Sequence, residues 1–182
     1  MLVNSLKTLR VRTFLFYIFL ALGVSFNSCK KVSSTARIFF PQDTTEVIFP
    51  APLGTISDFE EILTPEQIRS LDSLIVTHEY NTKNKISLVT IYSIHPYTTF
   101  SEYGIDLHEA WKKNDDKGNS VFILYSKKMG EIYIVAGKNL KKRLTDKDIK
   151  RICTKNMEPE FEKGEYYAGL KKGLQKIISE IR

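Results

Sequence analysis

From Lys117 to Leu140 the chain reads KGNSVFILYSKKMGEIYIVAGKNL. Val121–Tyr125 is a run of β-branched and aromatic residues suited to a buried strand, and Glu131–Val135 is a second. Ser126-Lys127-Lys128-Met129-Gly130 joins them, short and polar with glycine in the turn, so the pair predicts a β-hairpin. Upstream, Ile86–Ile91 (ISLVTI) is another strand-like run. Thr64-Pro65-Glu66-Gln67 is a capping box with proline at the first helical position. It opens a stripe of Ile68, Leu71, Leu74 and Ile75 at helical spacing. Thr99 caps a second helix carrying Phe100, Tyr103, Leu107, Ala110 and Trp111. Downstream, Thr145 opens a third helix (Ile149, Ile152, Cys153) expected to stop before Pro159, and Gly164–Ile181 reads as a fourth. Helices alternating with strands, broken by one hairpin, predict an α/β fold: a three-layer α/β/α sandwich with a mixed central sheet.

The beginning of the chain speaks to compartment. Residues 1–12 hold Lys7, Arg10 and Arg12 with no acid, residues 13–26 are almost wholly apolar, and Asn27-Ser28-Cys29 follows. This is the plan of a secretory signal, with an apolar run short of the ~20 residues a membrane span needs. A cysteine directly after it resembles a bacterial lipobox, which makes Cys29 the expected lipidation site. Residues 1–28 are thus read as a lipoprotein signal peptide. Residues 29–52, with three of the six prolines, are read as a tether leading to a first strand or ordered arm around Ile38–Phe40 or Glu46–Phe49. Residues 53–182 are the folded domain. The expected location is the cell envelope: membrane-anchored, extracytoplasmic and facing the periplasm.

Removing residues 1–28 takes away three basic residues and no acid, and lowers the net charge from +6 to +3. That mild excess is not the footprint of a nucleic-acid binder. The two cysteines, Cys29 and Cys153, leave no intramolecular disulfide if Cys29 is acylated. Cys153 lies on an apolar helical face and is read as core. His78, His95 and His108 show no metal or triad spacing. VAGKNLKKRLTD, residues 135–146, invites comparison with a phosphate cradle. Gly137-Lys138 lacks both the upstream glycine spacing and the Ser/Thr after lysine that a P-loop needs.

Several short motifs, taken in order, resemble the TPM domain family. Ile56-Ser57-Asp58-Phe59, Leu63-Thr64, Leu71 and Leu74 are similar to its opening, Lys85–Ile91 to its first core strand, and Trp111 to the end of its second helix. Lys117–Leu124 is similar to its Asn-Gly-Val-Leu-Leu-Leu strand. Leu144-Thr145-Asp146, Pro159-Glu160-Phe161, Gly164-Glu165-Tyr166-Tyr167 and Gly169-Leu170 resemble its last third. The resemblance spans roughly residues 54 to 182. It implies an α/β/α sandwich outside the cytoplasm, often membrane-attached. Some members bind divalent cations, plant thylakoid-lumen relatives are described as acid phosphatases, and others accompany membrane receptors.

The resemblance also identifies where this chain departs. The family turn resembles Ile-Glu-x-Gly-Tyr-Gly-Leu-Glu, where this sequence has Ile134-Val135-Ala136-Gly137-Lys138-Asn139-Leu140-Lys141. Both acids are replaced, by Val135 and Lys141, and hard cations need several oxygen ligands. Asp58, Asn119 and Asp146, with Asp115 or Asp116 nearby, remain as candidate ligands for a weak or lost Ca2+ or Mg2+ site. Each also has a structural reading: Asp58 and Asn119 as turn residues, Asp146 as an acid at a helix N-terminus. Lys138, Lys141, Lys142 and Arg143 are either a solvated face or a contact for an anionic surface or acidic partner. Two functions follow as expectations. One is a lipid-tethered, non-catalytic binding or accessory module for an envelope protein, with no nucleic acid involved. The alternative is a divalent-cation-dependent phosphatase.

Overall fold

The structure, a computed structural model, describes residues 48–112 and 118–182. Cys29, the expected signal segment, Ile38–Phe40, Asp115 and Asp116 lie outside these residues. Four strands form one mixed sheet: β1 (Ile56–Asp58), β2 (Lys85–Thr90), β3 (Ser120–Ser126) and β4 (Glu131–Ala136), in the order β1-β2-β3-β4. The pairs β1/β2 and β2/β3 are parallel, and β3/β4 is the antiparallel hairpin expected from the sequence, with Gly130 at φ 67° in its turn. The helices are α1 (Pro65–Thr82), α2 (Phe100–Trp111), α3 (Asp146–Ile152), α4 (Glu158–Phe161) and α5 (Tyr166–Glu180).

Local chemistry sets these boundaries. The Thr64 hydroxyl accepts from Gln67 N at 3.3 Å, and the Gln67 carboxamide accepts from Thr64 N at 2.9 Å, which closes the capping box of α1. Lys83, at φ 63°, ends that helix in the left-handed region. α3 opens with a second box, Thr145 with Asp148.

Strand side chains alternate between two cores. Ile86, Leu88, Val121, Ile123, Ile134 and Ala136 join Leu71 and Ile75 of α1, Ile152 of α3 and Leu170, Leu174 and Ile177 of α5. Val89, Phe122 and Leu124 join Phe100, Tyr103 and Leu107 of α2. The steps β1 to β2 and β2 to β3 run the same way across the sheet, yet α1 and α2 pack in different cores. The two parallel connections therefore have opposite hands, although such connections are right-handed in about 98% of cases.

The structure adjusts three expectations. The first strand is Ile56–Asp58; of the Glu46–Phe49 segment, expected as a first strand or an ordered arm, the described residues Ile48 and Phe49 form no strand. Phe49 and Pro50 nevertheless pack on the domain ahead of Leu53: the Phe49 ring lies 5.5 Å from Tyr103, and Trp111 Nε1 donates to the Pro50 carbonyl at 2.8 Å. The third helix ends at Ile152, before Pro159 as expected, but the helical run does not stop there. A π-helical turn, Cys153–Met157, follows α3, and Glu158 N reaches back to Cys153 O. The widened turn admits the proline at the start of α4, where its missing N–H costs little. Gly164, at φ 79°, terminates this helical run, and its N–H donates to Phe161 O at 2.9 Å. The last helix accordingly starts at Tyr166 rather than Gly164. Among the described residues no helix is long and apolar enough to cross a membrane.

Candidate functional site

The turn after β4 sits directly over the entry to β3. Gly137 N donates to Ser120 O at 2.7 Å and Asn139 N to Gly118 O at 3.0 Å. The Asn139 carboxamide donates to Asn119 Oδ1 at 3.0 Å. A Cβ placed on Gly137 would stand 2.5 Å from the Gly118 carbonyl oxygen, and Gly118 itself holds φ 82°. Glycine is required at Gly137 because two backbones meet there, and is favoured at Gly118 by its positive φ. Gly137 N and Asn139 N are both committed within the chain.

From Gly137 the chain coils once. Leu140 N and Lys141 N reach Gly137 O, and Leu144 N reaches Leu140 O at 2.8 Å. Leu140 and Leu144, one helical turn apart, are 3% and 1% exposed and anchor the coil in the core. Lys138, Lys141, Lys142 and Arg143 face solvent. The Arg143 guanidinium donates to the Arg182 carbonyl at 2.7 Å, which joins the turn to the end of α5.

Asp58 and Asn119 do not gather. Asp58 ends β1 at the other end of the sheet, where its carboxylate accepts Leu63 N at 2.9 Å, Ile62 N at 3.3 Å and the Thr90 hydroxyl. It ties the loop before α1 to the end of β2. Glu60 does similar work, accepting Lys127 N at 2.7 Å and Lys128 N at 2.8 Å across the hairpin tip. Asp58 pairs with Thr90 and Thr90 with Tyr125, whereas Asn119 precedes Ser120 at the start of β3. At ~3.3 Å per residue this separates Asp58 from Asn119 by about 20 Å along the sheet. One ion, with ligands at ~2.3–2.6 Å, cannot bridge them. Asp146 is exposed at the first position of α3. Among the described residues no three His, Cys, Asp or Glu side chains form an ion-holding group. Val135 packs against the core with α2, and Lys141 offers an ammonium group, so this donor set does not fit a hard cation.

Cys153 is buried, and burial pushes its thiol up to about 11, away from a reactive thiolate. His78 is buried on α1, with Nε2 3.2 Å from the Thr82 hydroxyl. Burial, then the charge of Arg182, lowers its pKa. His108 stacks on Phe122 with ring centroids 5.0 Å apart. Sequence reasoning missed the groove of about 520 Å³ in this region, between the 52–55 segment and the end of α2, with Trp111, Phe122, Ser87 and Ser120 among its walls. The lone tryptophan was its available signal.

The fold and this end of the sheet define a mixed α/β domain in which a glycine-locked turn closes over the start of a central strand. A family model described as the TPM domain matches residues 56–180, and the chain belongs to the TPM domain family. Three solved structures are similar to it. The N-terminal domain of a P. gingivalis protein has 20% identity and a TM-score of 0.64, covering 69% of this chain and 80% of that one. A protein of the psychrophilic bacterium Bizionia argentinensis has 21% identity and a TM-score of 0.58, covering 67% and 83%. The N-terminal domain of a Corynebacterium glutamicum protein has 12% identity and a TM-score of 0.56, covering 75% and 87%. At these identities the likeness speaks to fold alone. No curated protein matches the chain.

Proposed function

We propose that this TPM domain is a non-catalytic binding or accessory module of the bacterial cell envelope, attached to a membrane by lipid on Cys29 and facing the periplasm. It works by contact with partners rather than by turnover, and its contact face is the end of the sheet formed by Asn119 and the 137–143 turn. One observation supports this reading above the others. The turn is fixed from beneath by the Gly118–Gly137 contact and by buried Leu140 and Leu144, while Lys138, Lys141, Lys142 and Arg143 face outward. A prefixed surface loses little conformational entropy on binding.

The competing reading is a divalent-cation-dependent phosphatase, which needs oxygen ligands converging on the reacting phosphoryl group. Asp58 stands a sheet's length from Asn119, and Val135 and Lys141 occupy two positions where the family turn carries acids. Calorimetric titration of calcium and magnesium into the chelator-treated full chain separates the two, run beside a phosphate-monoester hydrolysis assay. The binding module is expected to show no saturable site tighter than about 1 mM and no cation-dependent hydrolysis. Saturable binding and turnover that both vanish in Asp146→Asn would replace it with the phosphatase. The anchor is tested separately: Cys29→Ala is expected to lose acylation and membrane attachment.

A further inference from the structure

We infer that the end of the sheet carrying the basic turn is a docking face for an anionic phospholipid surface, wider than the turn itself. This rests on the tethered reading above and names what the turn touches.

Separate connections meet at this end and are joined by hydrogen bonds into a ring. Lys85 N donates to Asn119 O at 2.8 Å, linking the α1–β2 connection to the entry of β3. Asn119 and Gly118 hold Asn139 of the β4–α3 turn. That turn reaches the end of α5 through Arg143 and the Arg182 carbonyl. The Asn84 carboxamide closes the ring by donating to the Ile181 carbonyl at 2.9 Å, in a buried position. Residues far apart in sequence are thereby fixed on one end of the domain.

The ring collects Lys83, Lys85, Lys138, Lys141, Lys142, Arg143 and Arg182. The same connections and the helix ends beside them carry the carboxylates Glu79, Asp146 and Glu180, the last paired with Arg151 and Lys176, and Asp115 and Asp116 precede Gly118 in the sequence. Lys138, Lys141 and Lys142 form no ion pair with any described carboxylate. The turn's four basic side chains line neither the 520 Å³ groove nor the groove beside His78, whose walls include Lys85 and Arg182 respectively. An ammonium on a flexible stem is a point charge with no demand for register, which suits a fluid array of phosphate headgroups. Each basic residue beside an anionic bilayer raises partition roughly fivefold. A tether adds to this by keeping the domain at high effective concentration near the bilayer.

The test places the full chain in vesicles of phosphatidylcholine alone or mixed with phosphatidylglycerol, and reads amine labelling of each lysine by mass spectrometry. Labelling of Lys83, Lys138, Lys141 and Lys142 is expected to fall several-fold in the anionic vesicles only. Lys163 and Lys172, which pair with Glu160, serve as controls. Protection is expected to disappear in ~1 M salt, where the screening length is about 3 Å. Lys141→Glu with Lys142→Glu, both exposed, should leave the fold intact and remove protection at Lys83 and Lys138. Equal labelling in both vesicles overturns the inference, as does protection that arises only when an acidic envelope protein is added. The mass of the Cys29 peptide is read in the same experiment. Protection without acylation leaves the docking face standing and removes the tether, whereas acylation without protection does the reverse.

Discussion

The backbone of Gly137 lies against that of Gly118, so close that a Cβ on Gly137 would stand 2.5 Å from the Gly118 carbonyl oxygen. This contact, more than any acid or base, accounts for the glycine in the β4–α3 turn. It holds the turn against the entry to β3.

Gly137→Ala is therefore expected to destabilise the domain by about 1–3 kcal/mol, the usual cost of forcing atoms into a filled space. Gly130→Ala makes the comparison, because a Cβ there meets nothing within 4 Å and only the positive φ opposes it. Urea midpoints read both. Equal costs for the two variants would show that the two backbones do not meet.

Asp58→Ala is expected to cost about 1–3 kcal/mol, because it removes the acceptor for Ile62 N, Leu63 N and the Thr90 hydroxyl. Thermal unfolding with and without a chelator separates this from ligation. The cost should be the same in both, whereas a cost that disappears in chelator would restore Asp58 as a ligand.

His78 gives stability a pH dependence with a defined sign. Its folded-state pKa lies below the ordinary 6.5, first because of burial and then because of Arg182, so the fold favours the neutral ring. That contribution is complete above the unfolded pKa and is lost as pH falls through about 6.5 towards the lower folded value. Denaturant midpoints are expected to drop across this window in the natural chain. His78→Gln should flatten the drop, and an unchanged slope would assign it elsewhere.

The buried Cys153 thiol, raised to about 11 by burial, is expected to resist thiol reagents at mildly alkaline pH until the chain unfolds. Mass analysis of its peptide after native and denatured labelling provides the reading. Rapid native labelling would show that the core between α3 and α5 is open.

Much of the fold was legible because periodicity and caps agreed. Thr64, Thr99 and Thr145 each cap the helix expected of them, and the hairpin around Gly130 forms as its residues suggest. β1 was missed because three residues carry no period, and its identity as a strand comes only from pairing with β2. The helical continuation through Pro159 went unread because the π-helical turn that accommodates it leaves no sequence signal. In the candidate site, the family resemblance suggested Asp58, Asn119 and Asp146 as ligands of one weak or lost site. Parallel strand register puts Asp58 at one end of the sheet and Asn119 at the other, a fact about pairing that no local motif records. Lys83, Lys85 and Arg182 were likewise invisible as neighbours of the basic turn until Asn84 and Arg143 were seen to join their connections.

The central claim is that the 137–143 turn is a surface of contact. It is tested most directly by placing a photo-reactive residue at Lys142 in the intact cell, with the same residue at Glu162 as an exposed control. Light-dependent adducts to lipid are expected from position 142 and not from 162, and they should be lost when Lys138 and Lys141 are changed to Glu. Adducts of equal yield from both positions, or none from 142 with the protein folded and in place, would contradict the account.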